Sequence, residues 1–165
     1  MSGPAELRAV TQEDHPALLA LNNAHAAELN FEDPARFERL LAAAVFSAAI
    51  GPLGDPDAFL LAFDDRTPEQ GPNHAWFLAR HPRFLYVDRV CVAPRARGRG
   101  LARALYAGVF EAARAAGMPL VCCEVNTEPP NPGSDAFHAA LGFVEVARRV
   151  LEDRGKAVRY LERQV

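Results

Sequence analysis

The chain has 165 residues, a length that suits one domain, and half of them are hydrophobic, enough to bury a core without metals or disulfides. Lys and Arg number 18 against 21 Asp and Glu, giving a formal charge of −3, which argues against a general nucleic-acid binder or a protein of anionic membrane surfaces. The cysteines Cys91, Cys122 and Cys123 form no C-x-x-C pair, and adjacent cysteines make poor disulfide partners, so a reducing compartment is expected. The opening MSGPAELRAV lacks an apolar leader core. The most apolar stretch, residues 41–50, falls short of the roughly 18–20 residues that span a bilayer. A cytoplasmic protein with no membrane or nucleic-acid partner is expected.

In chain order, residues 5–10 alternate like a short strand, and Thr11 with Asp14 resembles a capping box. A helix carrying Leu18, Leu21 and Leu29 runs to about Asn30. Asp33-Pro34 opens a second helix, with Phe37, Leu40, Leu41 and Val45 as its buried stripe, which Gly51-Pro52 stops. Residues 58–63 suit a strand, 64–72 a loop, and 75–79 with 84–93 a hairpin around Arg80-His-Pro-Arg83. A helix follows from about Gly100 to Ala116, ended by Gly117. Residues 120–125 form a strand buried on both faces, and 134–141 a short helix. Residues 143–151 and 157–163 close the chain as a hairpin. The expected order is β-α-α-β-β-β-α-β-α-β-β, a single α/β domain over residues 1–165 without repeats or linkers.

The densest chemistry lies in Arg95-Ala-Arg97-Gly98-Arg99-Gly100-Leu101-Ala102, between the end of a strand and the start of a helix. Glycines allow a tight nest of backbone amides, and the helix start adds unpaired N–H groups and a positive dipole end. Such a turn can hold a pyrophosphate, with Arg95, Arg97 and Arg99 free to reach a third phosphate; the alternative is an exposed basic turn. It is no Walker A loop, since no Gly-Lys-Ser/Thr follows, and it misses G-x-G-x-x-G because Arg103 stands where the third glycine belongs.

Arg95-x-x-Gly98-x-Gly100-Leu-Ala resembles the acyl-CoA pyrophosphate loop of the GNAT superfamily of N-acetyltransferases. A second segment, Asn131-x-x-Ser134-Asp-x-Phe137-His138-x-x-Leu141-Gly142-Phe143, resembles that family's N-x-x-A-x-x-F-Y-x-x-x-G-F signature. Uncharacterised bacterial members look closer still, sharing the Tyr86-Val-Asp-Arg89 and Glu124-Val-Asn126 neighbourhoods. The resemblance implies a mixed central sheet with acetyl-CoA in a V-shaped gap between the fourth and fifth expected strands. Backbone near Cys91 and Val92 would pair with the pantetheine arm. Amides from Arg97 to Ala102 would hold the pyrophosphate, and Asn131 corresponds to an asparagine that contacts the pantetheine. It also implies acetyl transfer to a primary amine of a small molecule or a peptide N-terminus, without a metal.

Such transfer needs a base for the ammonium, a donor for the oxyanion and a proton for the departing thiolate. Cys123-Glu124-Val125 resembles the Leu-Glu-Val strand of ribosomal-protein alanine acetyltransferases, whose glutamate is the base. Apolar neighbours should raise the pKa of Glu124; its alternative is a salt bridge to an arginine. Asp88, beside the cofactor strand, is a second candidate base, or else the partner of Arg89 in a structural ion pair. Tyr86 and Asn126 are candidates for the acceptor site or packing residues. His138 stands where most members carry tyrosine, so an imidazole would protonate the thiolate; a solvated helix histidine is the alternative. A backbone N–H near Val92 would serve the oxyanion.

Cys122 and Cys123 read as core, Trp76-Phe77 as core or dimer surface, and His15, His25, His74 and His81 show no metal-ligand spacing. Glu32, Asp33, Asp64, Asp65 and Glu69 in the loops expected around the acceptor suit a cationic amine, and equally any solvated loop. The closing hairpin is one surface on which a homodimer could form. Two further functions stay open: a non-catalytic acyl-CoA-binding or sensing module, and an arginine-driven nucleic-acid binder.

Overall fold

The computed structural model describes residues 5–165; residues 1–4, part of the opening read for a leader, lie outside them. Three helices, α1 (His15–Ala24), α2 (Ala26–Leu29) and α3 (Pro34–Ala43), precede strands β1 (Phe46–Ile50) and β2 (Ala58–Asp64). Then come α4 (Pro72–Leu78), β3 (Leu85–Val92), α5 (Leu101–Ala115), β4 (Leu120–Glu128), α6 (Pro132–Ala140), β5 (Val144–Leu151) and β6 (Lys156–Gln164). The six strands form one mixed sheet in the order β1-β2-β3-β4-β6-β5. The α/β class and mixed central sheet are as expected; the element order differs in four places, the first being that the helix expected to run to about Asn30 breaks at His25 into α1 and α2.

Residues 5–10 contribute only an isolated bridge, Arg8 to Ala49, rather than a strand. The helix opened by Asp33-Pro34 ends at Ala43, and its expected continuation is β1, paired antiparallel with β2 from Phe46↔Ala62 to Ile50↔Ala58. Val45, expected in the buried stripe, is 52% exposed at the junction. The run Ala42-Ala-Ala-Val-Phe is apolar throughout, so periodicity does not mark the switch, and pairing with the wholly buried β2 decides it. The expected strand at 75–79 is helix α4, which begins with Pro72 in its first turn. The expected hairpin is therefore a helix, a turn and a strand.

Two hydrophobic clusters lie on opposite faces of the sheet. One packs Leu101, Leu105, Tyr106 and Val109 of α5 and Phe143 against Leu85, Val87, Val121, Cys123 and Val125. The other packs Leu18 of α1, Phe37 of α3 and Phe77 of α4 against Phe59, Phe63, Tyr86, Cys122 and Tyr160. Because strand side chains alternate, β4 sends Val121, Cys123 and Val125 to the first face and Cys122, Glu124 and Asn126 to the second.

β3 and β4 are the parallel pair, and they touch only at Leu85↔Val121 and Tyr86↔Cys122. Beyond those positions β3 stays bonded to β2 and β4 to β6, while the edges that face each other separate. A bulge contributes to the splay. Leu61 pairs with Arg89 but Ala62 with Val87, leaving Asp88 as the extra residue, and an extra residue bends its strand and increases local twist. The V-shaped gap is thus built between the two strands from which the sequence implied it. No helix among the described residues is long and apolar enough to cross a membrane.

Candidate active site

A cavity of about 490 Å³ fills the gap, and a smaller one of about 280 Å³ adjoins it at the start of α5; Val92, Arg97, Ala102 and Phe137 line both. At the outer end, the turn after β3 takes one 3₁₀ turn, Pro94–Ala96, before α5 begins. Gly98 and Gly100 hold φ of +77° and +73°, a region where a side chain would be strained, and open space lies where their Cβ atoms would be. Gly100 is the N-cap of α5 and no side chain caps the helix, so its first N–H groups face the smaller cavity. This concave, positively polarised cradle fits a pyrophosphate, and the unpaired edges of β3 and β4 can receive an extended amide-bearing arm in the manner of an added strand.

The arginines of the loop divide into two kinds. Arg95 is held by Asp57 at 3.0 Å and Asp55 at 2.9 Å, both in the β1–β2 connection, and Arg99 lies 3.4 Å from Asp57. Neither lines a cavity, so the expectation that both are free for phosphate is corrected: the carboxylates that anchor the loop occupy them. Arg97 does line the cavities and donates to Nε2 of His25 at 3.2 Å, while Nδ1 of His25 is bonded to Leu21 O. Cys91 is buried, its thiol pushed up to about 12 mainly by desolvation, and with Val92 it lines the inner cavity on the β3 edge. Leu101 and Ala102 carry the first helical amides. Asn131 caps α6, its side chain accepting from Ser134 N at 3.3 Å, and also faces the cavity.

Further in, Glu124 is half-buried on β4 and meets no arginine. Its Oε2 accepts from the Tyr86 hydroxyl at 2.7 Å and its Oε1 from Asn73 Nδ2 at 3.0 Å. Asn73 in turn accepts from the Tyr160 hydroxyl at 2.9 Å, and Trp76 stacks on the Tyr160 ring at 4.2 Å. Burial pushes the Glu124 carboxyl up to about 7; the Tyr86 hydrogen bond opposes the rise, nearby Asp88 adds to it, and Asn73 opposes it. Tyr86 is itself fixed by a stack on His74, whose Nε2 bonds Asp64 O at 3.0 Å and whose imidazole burial keeps neutral. Tyr86 thus gives its hydroxyl to Glu124 while lining the same cavity.

Asp88 bonds Arg89 Nε at 2.7 Å, and Arg89 reaches Asn22 Oδ1 at 2.7 Å and Glu32 at 3.4 Å. That network is the structural ion pair, and it leaves Asp88 engaged rather than poised for an amine. Asn126 lines the cavity and donates to Glu28 O at 3.4 Å, tying β4 to α2.

On the other face, His138 is 4% exposed, not solvated. Its Nδ1 lies 2.8 Å from Ser134 O, which requires an N–H there, so Nε2 accepts the Tyr106 hydroxyl at 2.8 Å. Tyr106, Phe137 and Phe143 wall the ring, and burial lowers its pKa, keeping the imidazole neutral. The acidic loops are also spent locally: Asp64 binds Thr67 and the Arg66 amide, Asp65 the Phe84 amide, and Glu32 is paired with Arg36 and Arg89. Asn73, Tyr106 and Tyr160 were not singled out in the sequence. No cluster able to hold a metal occurs among the described residues.

The fold is α/β, with a cradle of backbone amides at one end of a splayed parallel strand pair and a buried carboxyl at the other, an arrangement with room for a phosphate-bearing ligand along the sheet edges. The model of the acetyltransferase (GNAT) family matches residues 31–143, and the chain belongs to that family. It is accordingly an acetyl-CoA-dependent N-acetyltransferase, and the cradle and strand edges fit that donor. Solved structures share the fold across almost the whole chain. Ribosomal-protein-alanine N-acetyltransferase from Brucella melitensis is 23% identical with a TM-score of 0.72, covering 97% of this chain and 99% of its own. Ribosomal-protein-S18-alanine N-acetyltransferase from Escherichia coli is 16% identical at 0.71, covering 98% and 94%. Arabidopsis thaliana NAA60 in complex with acetyl-CoA is 15% identical at 0.76, covering 98% and 99%. No curated protein matches.

Proposed function

We propose that the protein acetylates a primary amine by direct attack on the thioester, with Glu124 as the base. The observation that carries this is the pairing of Glu124 with Tyr86 and Asn73 at the inner end of the gap, where burial raises its carboxyl to about 7. A base is most effective when its pKa lies near the working pH. Amides from Arg97 to Ala102 hold the pyrophosphate, with Gly98 and Gly100 giving it room and Arg97 adding charge. Cys91, Val92 and Asn131 flank the pantetheine. Acetyl-CoA supplies the activated acyl group, and the chain supplies orientation and proton transfer.

The hydrogen bonds of His138 locate the proton for the leaving sulfur. With Nδ1–H given to Ser134 and Nε2 accepting, the transferable proton is on the phenol of Tyr106. Tyr106 is the donor in this reading and His138 the residue that positions it. Asp88 acts electrostatically on Glu124, and Tyr86 and Asn126 shape the acceptor end. Ribosomal-protein alanine N-acetyltransferases of the same fold, and a structure of that fold with acetyl-CoA, support the amine chemistry and the donor.

The test is calorimetric titration with CoA together with thiol release from acetyl-CoA across a panel of amines and N-terminal peptides. Binding with amine-dependent CoA release is the expected result. Tight binding with no release for any amine would instead make the chain a binding module.

A further inference from the structure

Lys156, the chain's single lysine, stands at the start of β6 on the face that carries Val158, Tyr160 and Glu124. Tyr160 pairs across the sheet with Glu124, and at a rise of about 3.3 Å per residue Lys156 lies roughly 13 Å further along the strand at its Cα, a distance its own side chain shortens. It is half-buried and lines the same cavity as Glu124. Its ammonium donates to Asn30 Oδ1 at 2.6 Å, and among the described residues it has no carboxylate partner. Asn30 holds a φ of +74°, the one non-glycine residue with positive φ among the described residues, so the loop after α2 accepts strain in the position that meets Lys156. Arg154, from the β5–β6 turn, lines the cavity beside it, also without a carboxylate partner.

The carboxylates of this end are otherwise occupied. Glu32 and Asp88 are paired with Arg36 and Arg89, Glu124 is bonded by Tyr86 and Asn73, and Glu28 lies exposed on the rim. Lys156 and Arg154, neither with a carboxylate partner among the described residues, thus line the same cavity as Glu124. A half-buried ammonium whose protein partner is a neutral amide favours an anion that can replace or join that partner. Burial and Arg154 lower the ammonium's pKa, while Glu124 and Glu28 oppose the fall.

We propose that the acceptor is a free amino acid, whose amine is presented to Glu124 and whose carboxylate is received by Lys156 and Arg154. This rests on the transferase reading above and adds the substrate class. A peptide N-terminus has a neutral amide, and a simple alkylamine no anion, where a free amino acid has its carboxylate, so a cationic pocket beside the amine site selects against both.

The test compares thiol release from acetyl-CoA with the twenty L-amino acids, their amides and the matching decarboxylated amines. For the best acid, kcat/KM is expected to exceed that of its amide and amine by about 10–100-fold, the span of one or two charge-assisted hydrogen bonds. Lys156→Met should remove most of that advantage through the acid's KM while the amide and amine stay within about twofold, and Lys156→Arg should retain it. Arg154→Met, at an exposed turn, gives the same readout without burdening the fold, with a smaller effect. An amide or amine that matches the acid in wild type, or a Lys156→Met change that affects all three alike, overturns this inference and leaves the transferase reading intact. Failure of every acceptor removes both.

Discussion

The two sides of the gap bury one titratable group each, and the same burial drives them in opposite directions. Glu124 sits among hydroxyls and an amide, and loss of water pushes its carboxyl up to about 7. His138 sits in an aromatic cage, and loss of water lowers its imidazole. Burial penalises whichever form is charged, so the acid becomes a weaker acid and the base a weaker base. The Glu124 carboxyl is thereby balanced between its two forms near pH 7, whereas the His138 imidazole is kept neutral. The difference lies in their hydrogen bonds: those to Glu124 stabilise its ionised form, whereas those to His138 fix a tautomer.

The strongest way to break this comparison is Glu124→Gln. Removal of a general base is expected to lower kcat/KM by roughly 10²–10⁴-fold, with CoA affinity by calorimetry unchanged. The same variant should be more stable at alkaline pH. The carboxyl's ordinary value is 4.5 and its folded value about 7, so the folded state holds a proton that the unfolded state has released between those values. Wild-type stability therefore falls as pH rises from 4.5 to 7, and Gln lacks that loss. Melting temperatures should coincide near pH 4 and separate by pH 8 in favour of the variant. Equal temperatures at both would mean that Glu124 is not desolvated.

On the opposite face, Tyr106→Phe removes the proton while keeping the ring, and kcat is expected to fall by about 10–100-fold with little change in the KM for acetyl-CoA. His138→Phe should also lower kcat far more than that KM. If Tyr106→Phe is silent and His138→Phe is not, the imidazole itself is the donor. A sharper probe of the first face is Asn73→Leu, which deletes a donor to the ionised carboxylate. The ascending limb of the pH profile of kcat/KM should move upward by about one pH unit, since one such bond is worth roughly that much.

The contrast between the faces also explains what could be read from the sequence. The anion loop, Glu124 and His138 stand out because strand, glycines and helix are contiguous there, and each signal is local. Asn73 is invisible for a specific reason: Ala75-Trp-Phe-Leu-Ala reads as a strand, and in that reading Asn73 belongs to a loop. Only the helix that Pro72 opens carries it to Glu124. Tyr106 reads as one more apolar face residue of α5, because its partner lies 32 positions away. Arg95 and Arg99 look like phosphate ligands until Asp55 and Asp57 fold back from the β1–β2 connection. Pairings that close across the sheet leave no pattern in the chain; those made within one turn do.

The smallest expected effect concerns those anchoring carboxylates. Asp57 receives Arg95 and Arg99 on its side chain, and its carbonyl accepts from Ala93 N at 2.7 Å, just before the cradle. In Asp57→Ala the carbonyl contact remains and Asp55 still holds Arg95, so the loop keeps its path but loses part of its restraint. The Arg99 guanidinium, which loses its carboxylate partner, also becomes available beside the anion cradle, which partly offsets the loosening. Affinity for CoA should change by no more than about threefold, whereas Gly100→Val, which forces a branched side chain into positive φ, should weaken it by at least about tenfold. Calorimetry on the two variants compares restraint by side chains with restraint by backbone. A larger loss in Asp57→Ala than in Gly100→Val would place the shape of the cradle in the side-chain anchors rather than in the glycine backbone.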